Sequence, residues 1–397
     1  MSTNLSARME KVSISATSAL FAKVDEMKRA GIDVISLNVG EPDFPTPENI
    51  KEAGIRAINE NFTKYTAGSG IAPLREAIVR KLKNDNGLSY EMDEVAVVVG
   101  AKQALSASVM ATCGDGDEVI IPIPCYVSYA DIVKLAGATP VLVNKNEDFS
   151  LNIEEIKKAV TDKTKAVIIC TPDNPTGAVF SSESLKELAD LAVQKDFFVI
   201  SDEIYEKIIY GENKHVSIAS FPGMKDRCVV VNGFSKTYSM TGWRMGYVAS
   251  RKDVVNAVIK IQSQTTTTPP SISQMACLEA LRGPQDSVSH MVSEFAKRRD
   301  YVQERLNAIP GVHCSDIQGA FYAFFDVRSY IGKTLKDGSR FENDLEFCEY
   351  LLQKLHVACM PGSCYFAPGF VRISFASSME VLKEALDRIE DGLKSDF

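Results

Sequence analysis

The chain has 397 residues, 45% apolar and 24% charged, with a formal net charge of −8 at pH 7. That length supports more than one domain-sized core in an ordinary soluble protein, and the acidic balance without a basic stripe argues against a nucleic-acid surface. The longest apolar runs are too short to span a bilayer, so no membrane partner is predicted. Nine cysteines form no CxxC pair, and the N-terminus carries no secretory apolar stretch. Both point to reduced thiols in a cytoplasmic protein. The four histidines, His215, His290, His313 and His356, do not pair at metal spacing. No metal site is predicted, and a zinc enzyme and a serine–histidine hydrolase both start weak.

In chain order, residues 15–31 read as a helix. Apolar runs at 95–99, 118–121, 139–143, 166–170, 197–200 and 228–231 read as strands, with helical patterns between them such as 101–112 and 182–195. The strands are nearly continuous in Val, Ile, Phe and Cys. That is the pattern of a parallel sheet covered on both faces, and the βα alternation implies an α/β fold with crossover helices. The Thr-rich run 265–270 reads as a loop. Near the C-terminus, 321–325 and 370–375 read as strands. The stretch 377–393 reads as a helix opening with a capping box, Ser377-Ser378-Met379-Glu380. The expected division is a large domain over residues 46–284 and a smaller α/β domain built from both termini, 1–45 plus 285–397.

In an open parallel sheet, ligands bind beyond the carboxyl ends of the strands. Here those ends carry chemistry. The first strand runs into Gly100-Ala101-Lys102 and a helix, whose exposed N–H groups form a phosphate seat. Another ends in Thr171-Pro172-Asp173-Asn174-Pro175-Thr176-Gly177, a rigid turn presenting an amide. A third ends in Ser201-Asp202-Glu203-Ile204-Tyr205. The last leads to Lys236, with Arg244 eight positions on. A lysine fixed at a strand end, beside an arginine that can hold an anion, suits covalent amine chemistry on a phosphorylated cofactor. Singly, each has a plainer reading: Lys236 as a solvated loop lysine, Asp202 as a helix cap, Asn174 as a turn former, Tyr205 as core. Jointly they converge on one site.

With these motifs, and with Thr241-Gly242-Trp243-Arg244 and Val371-Arg372-Ile373-Ser374, the chain resembles the class I pyridoxal-phosphate-dependent aminotransferases of fold type I. Within them it resembles the bacterial and plant aspartate aminotransferase subgroup, some of whose members also act on prephenate. The resemblance runs over nearly the whole chain. It implies a mostly parallel large domain and a homodimer in which Tyr65 reaches the partner subunit's cofactor phosphate. It also implies roles: Lys236 holds the cofactor and shuttles the substrate α-proton. Asp202 pairs with the pyridine nitrogen, and Asn174 and Tyr205 bond the ring's phenolic oxygen. Tyr126, where many members carry tryptophan, lies on the ring face. Arg244 takes the phosphate together with the backbone at Gly100, Ala101 and Lys102. Many members place a serine three residues before the lysine; here that position is Gly233, so that contact is not carried over.

The same resemblance assigns the substrate α-carboxylate to Arg372 and the backbone of Gly40, with Tyr126 and Asn174 alongside. It assigns the distal carboxylate to Lys102 with Thr17 and the neighbouring Ser15. The expected reaction is amino transfer between L-aspartate and 2-oxoglutarate, giving oxaloacetate and L-glutamate, with prephenate as a further substrate. The alternative is an aminotransferase for alanine or aromatic amino acids, against which Lys102 argues. A nicotinamide oxidoreductase would need a GxGxxG after the first strand, and none is present.

Overall fold

The runs of Val and Ile become the strands of a central sheet, as their two-sided burial requires. The computed structural model describes residues 6–396. After a short strand β1 (Ile35–Ser36), the sheet is built from β2 (Val95–Val98), β3 (Glu118–Ile123), β4 (Thr139–Asn144), β5 (Thr164–Cys170), β6 (Phe198–Asp202), β7 (Cys228–Gly233) and β8 (Gly246–Ala249). Their spatial order is β2-β8-β7-β6-β5-β3-β4. Neighbours from β7 through β4 pair in parallel, while β8 pairs antiparallel with both β7 and β2. Every residue of β2, β7 and β8 is buried. Side chains alternate between two cores: Val95 and Val97 enter one, Ala96 and Val98 the other.

Sequence reasoning missed β8. Its Gly-Tyr-Val-Ala is short and has one β-branched residue, so propensity alone does not mark it. Its place is set by the neighbours it bridges. The helices between strands follow the predicted pattern: Gly100–Thr112 begins one residue early and Ser182–Lys195 matches.

The remainder forms β9 (His313–Cys314), β10 (Tyr322–Asp326), β11 (Val357–Ala358), β12 (Met360–Pro361) and β13 (Phe370–Ser374). Four of these make an antiparallel sheet in the order β12-β13-β10-β9. Strand β1 pairs in parallel with β11, Ile35 opposite Val357, so the two ends of the chain meet. The first long helix spans Ala16–Arg29 and the last Met379–Asp396. The predicted capping box is off by one residue. The last helix starts at Met379, and the Ser378 hydroxyl accepts from the Val381 N–H at 3.3 Å.

Candidate active site

The carboxyl ends of β5, β6 and β7 open into one cavity of about 320 Å³. Twelve predicted site residues line it: Ser15, Thr17, Gly40, Ala101, Lys102, Tyr126, Asn174, Asp202, Tyr205, Lys236, Arg244 and Arg372. Gly100 lies just behind. Tyr65 lies outside the cavity in the single chain, 85% exposed, beside a groove formed with Thr268, Pro269 and Pro270.

Asp202 ends β6 and is buried. Its Oδ2 accepts from the Tyr129 hydroxyl at 2.8 Å and its Oδ1 from the Ile204 N–H at 3.3 Å. Burial pushes its carboxyl up to about 6, against these hydrogen bonds. The rest of that segment is anchored from behind. Buried Glu203 accepts from Ser201 and Ser217 at 2.9 and 2.7 Å and meets His215 Nε2 at 3.0 Å. Glu206 accepts from Lys81 and from Asn86. The ligand-type atoms of Glu203, Glu206 and His215 lie within 4.8 Å of one another, a grouping that histidine spacing did not reveal. Lys81 and the two hydroxyls already serve its carboxylates.

Asn174 sits in a turn held by a buried ion pair. Lys145 Nζ lies 2.8 Å from Asp173 Oδ2 and donates to the Pro124 carbonyl at 2.7 Å. The Asn174 Oδ1 accepts from Arg372 Nη1 at 3.0 Å, and Arg372 Nη2 donates to the Asn38 carbonyl at 2.7 Å. The Arg372 Nε has no partner although the residue is buried. A buried guanidinium with a free N–H and neutral acceptors is ready for an incoming carboxylate.

Lys236 follows β7 and donates to the Gly40 carbonyl. Burial, joined by the positive charges of Arg372 and Arg244, lowers its ammonium to about 8. Arg244 has φ +53° and donates to the Thr241 carbonyl at 2.8 Å. A Cβ on Gly100, which has φ +77°, would lie 2.7 Å from Arg244 Nη2. Only glycine lets that guanidinium reach the start of the helix Gly100–Thr112, where no side chain caps the first N–H groups. Gly233 also has no room for a side chain. A Cβ there would lie 2.8 Å from the Met245 carbonyl, which accounts for the absent serine. Lys102 Nζ lies 5.5 Å from the Tyr126 ring centre. Ser15 precedes the helix Ala16–Arg29 without capping it, leaving its hydroxyl to the cavity.

Residues 32–389 match the family described as aminotransferase class I and II. The chain belongs to that family. It is 44% identical over 393 residues to an aspartate aminotransferase of Bacillus sp. (strain YM-2), covering 98% of this chain and 99% of that one. A probable aspartate/prephenate aminotransferase of Rickettsia felis is 44% identical, covering 97% of this chain and 95% of its own. The crystal structure of the aspartate aminotransferase from Rhizobium meliloti superposes with a TM-score of 0.96 at 41% identity, each chain fully covered.

This aminotransferase therefore uses pyridoxal 5′-phosphate, and its cavity fits that group. The helix start with Arg244 suits a phosphate. The buried Asp202, whose hydrogen-bond donors are both neutral, suits a protonated ring nitrogen. Lys236 supplies an amine that is readily deprotonated.

Several lining residues were not foreseen, Tyr129 and Tyr322 above all. Tyr129 stands three residues after Tyr126 at the start of a helix, Tyr129–Leu135. Tyr322 stands in an aromatic strand. Neither spacing separates a working phenol from core filler.

Proposed function

We propose that this aminotransferase exchanges the amino group between L-aspartate and 2-oxoglutarate, with prephenate as a further dicarboxylic substrate. The observation that carries this reading is a cavity with two cationic poles. Arg372, buried with a free N–H, lines one cavity with Lys102, Thr17 and Ser15. Two carboxylates can be held at once, in a protein whose net charge is negative. The names of the Bacillus and Rickettsia relatives agree with it.

Pyridoxal phosphate, when bound, supplies an electron sink that makes the α-hydrogen of an amino acid acidic. The chain does the rest. Arg244 and the N–H groups of Ala101 and Lys102 hold the phosphate. Asp202 would keep a proton on the ring nitrogen, and Asn174 and Tyr205 would donate to the ring oxygen. Tyr126 covers the ring face. Arg372, with the Gly40 backbone, orients the α-carboxylate so that the α-hydrogen meets Lys236 Nζ. With the cofactor bound, Lys236 Nζ would take that proton and later give it back.

Lys102→Ala tests the specificity. A hydrogen bond to a charged group contributes roughly 1.5–3 kcal/mol, so kcat/KM for aspartate and glutamate should fall by about 10- to 150-fold. Alanine has no distal carboxylate, and its kcat/KM should hardly change; Thr17→Val should show the same selectivity more weakly. Steady-state rates with aspartate, glutamate, alanine, phenylalanine and prephenate decide this. Equal losses for alanine and aspartate would place Lys102 with the phosphate instead.

The enzyme acts as a homodimer with shared sites. Tyr65 is 85% exposed and Ile14 84% exposed in the single chain, a costly state for large side chains that a second copy would relieve. Co-assembled Lys236→Ala and Tyr65→Ala protomers should regain activity above either parent, because some sites carry neither change. A fully active monomer by sedimentation would contradict sharing. All nine cysteines are free, and among the described residues no helix is long and apolar enough to cross a membrane. The free thiols favour a cytoplasmic setting.

A further inference from the structure

Tyr322 opens β10 and is almost fully buried. The antiparallel register sets Tyr322 opposite Ser374 and Phe324 opposite Arg372. Tyr322 and Arg372 are therefore diagonal neighbours on one sheet face. The Arg372 guanidinium lies 4.3 Å over the Tyr322 ring. The Tyr322 hydroxyl meets the Tyr205 hydroxyl at 2.7 Å. It also occupies the space beside Gly40, where a Cβ would come within 2.1 Å of it. One phenol thus touches three groups of the site: Tyr205, Arg372 and the residue whose carbonyl accepts from Lys236.

We propose that Tyr322 is a positioning residue whose hydroxyl donates to Tyr205 and thereby leaves the Tyr205 proton aimed into the cavity. The inference rests on the reading that Tyr205 donates to the cofactor's ring oxygen. A phenol has one hydrogen and two lone pairs. A 2.7 Å contact between two phenols holds one proton. If Tyr205 gave its proton to Tyr322, only lone pairs would face the cavity, and they would repel an anionic oxygen. The donor should be the more acidic partner. Arg372 acts on both phenols, and Tyr322, whose ring lies 4.3 Å under the guanidinium, feels it more and is that partner. Burial pushes Tyr322 up to about 12 with Arg372 opposing, whereas Tyr205, also raised by burial, rises well above its usual range. Glycine at position 40 leaves the room that the Tyr322 hydroxyl takes up, because a Cβ there would lie 2.1 Å from it.

The test follows the pH midpoint of the visible absorbance of bound pyridoxal phosphate in the purified enzyme. Wild type, Tyr205→Phe, Tyr322→Phe and the double variant are compared. Losing one hydrogen bond to the anionic oxygen of the deprotonated form should raise the midpoint by about one to two pH units in Tyr205→Phe. Tyr322→Phe, in which Tyr205 keeps its proton but loses the donor that polarises it, should raise it in the same direction by a smaller amount, and the double variant should rise no further than Tyr205→Phe alone. Affinity for maleate, a non-reacting dicarboxylate, should stay about unchanged in Tyr322→Phe, because the ring beneath Arg372 remains. A shift in Tyr205→Phe with none in Tyr322→Phe, or shifts that add in the double variant, overturns the inference and leaves the Tyr205 reading standing. No shift in Tyr205→Phe removes both. Loss of maleate affinity in Tyr322→Phe would mean that Tyr322 merely supports the cavity wall.

Discussion

Lys236→Ala is expected to keep its cofactor and lose nearly all turnover. Arg244, Asp202 and the helix start Gly100–Thr112 still stand around the cavity, so retention does not depend on the lysine alone. What disappears is the group proposed to carry the α-proton, and a positioned acid–base contributes roughly 10²- to 10⁴-fold. Lys236→Arg should be equally inactive, because a guanidinium stays protonated and cannot act as a base. Borohydride reduction of the wild-type enzyme should fix the cofactor on Lys236; labelling of another lysine would refute the assignment. A pH signature accompanies it. With its ammonium lowered to about 8, Lys236 is mostly protonated below that pH and neutral above. The rate at which cofactor-free protein captures added pyridoxal phosphate should rise as pH increases toward 8 and level off beyond. A rate still climbing steeply past pH 9 would indicate an ordinary surface lysine, whose reference value is near 10.4.

Asp202→Asn should cost turnover by roughly 10²- to 10⁴-fold, with the fold intact. The substitution keeps the shape but removes the negative charge, and its single amide oxygen can keep only one of the two bonds that Asp202 accepts, from Tyr129 or from Ile204. A buried charge that loses its partner costs about 3–5 kcal/mol, and each 1.36 kcal/mol of barrier is tenfold in rate. The raised carboxyl of Asp202, near 6, reflects burial, which its hydrogen bonds and the Lys236 charge only partly offset. Loading with pyridoxal phosphate should bring a cation into direct contact and lower it, so turnover should show no acid limb near pH 6. Near wild-type turnover in Asp202→Asn would make the residue a turn-capping group and nothing more.

The strand ends were legible because their chemistry is local. Val and Ile runs stop, and Asn174, Asp202 or Lys236 follows within a few residues. Arg372, Gly40 and Lys102 could be placed only through a family resemblance, since nothing in their spacing says that residues 334 positions apart, such as Asn38 and Arg372, will bond. The anchoring of Glu206 by Lys81, across 125 positions, has no sequence signal either. Strand β8 escaped because pairing, not propensity, makes it a strand. The working tyrosines, Tyr129 and Tyr322, escaped because aromatic residues at helix and strand spacing are the ordinary material of a core. Only their hydroxyl partners reveal their use.

The pairing of β1 with β11 has a consequence in the order of synthesis. Asn174, Asp202 and Lys236 leave the ribosome well ahead of Val357 and Arg372. At about 5–20 residues per second, the delay between Lys236 and Arg372 is roughly 7 to 27 seconds. Throughout it, β1 has no strand to lie against and Asn38 no guanidinium to meet. The residues proposed to hold the cofactor are therefore made first, and the guanidinium proposed to take the substrate α-carboxylate comes last. A chain released early has Lys236 and Lys102 but not Arg372.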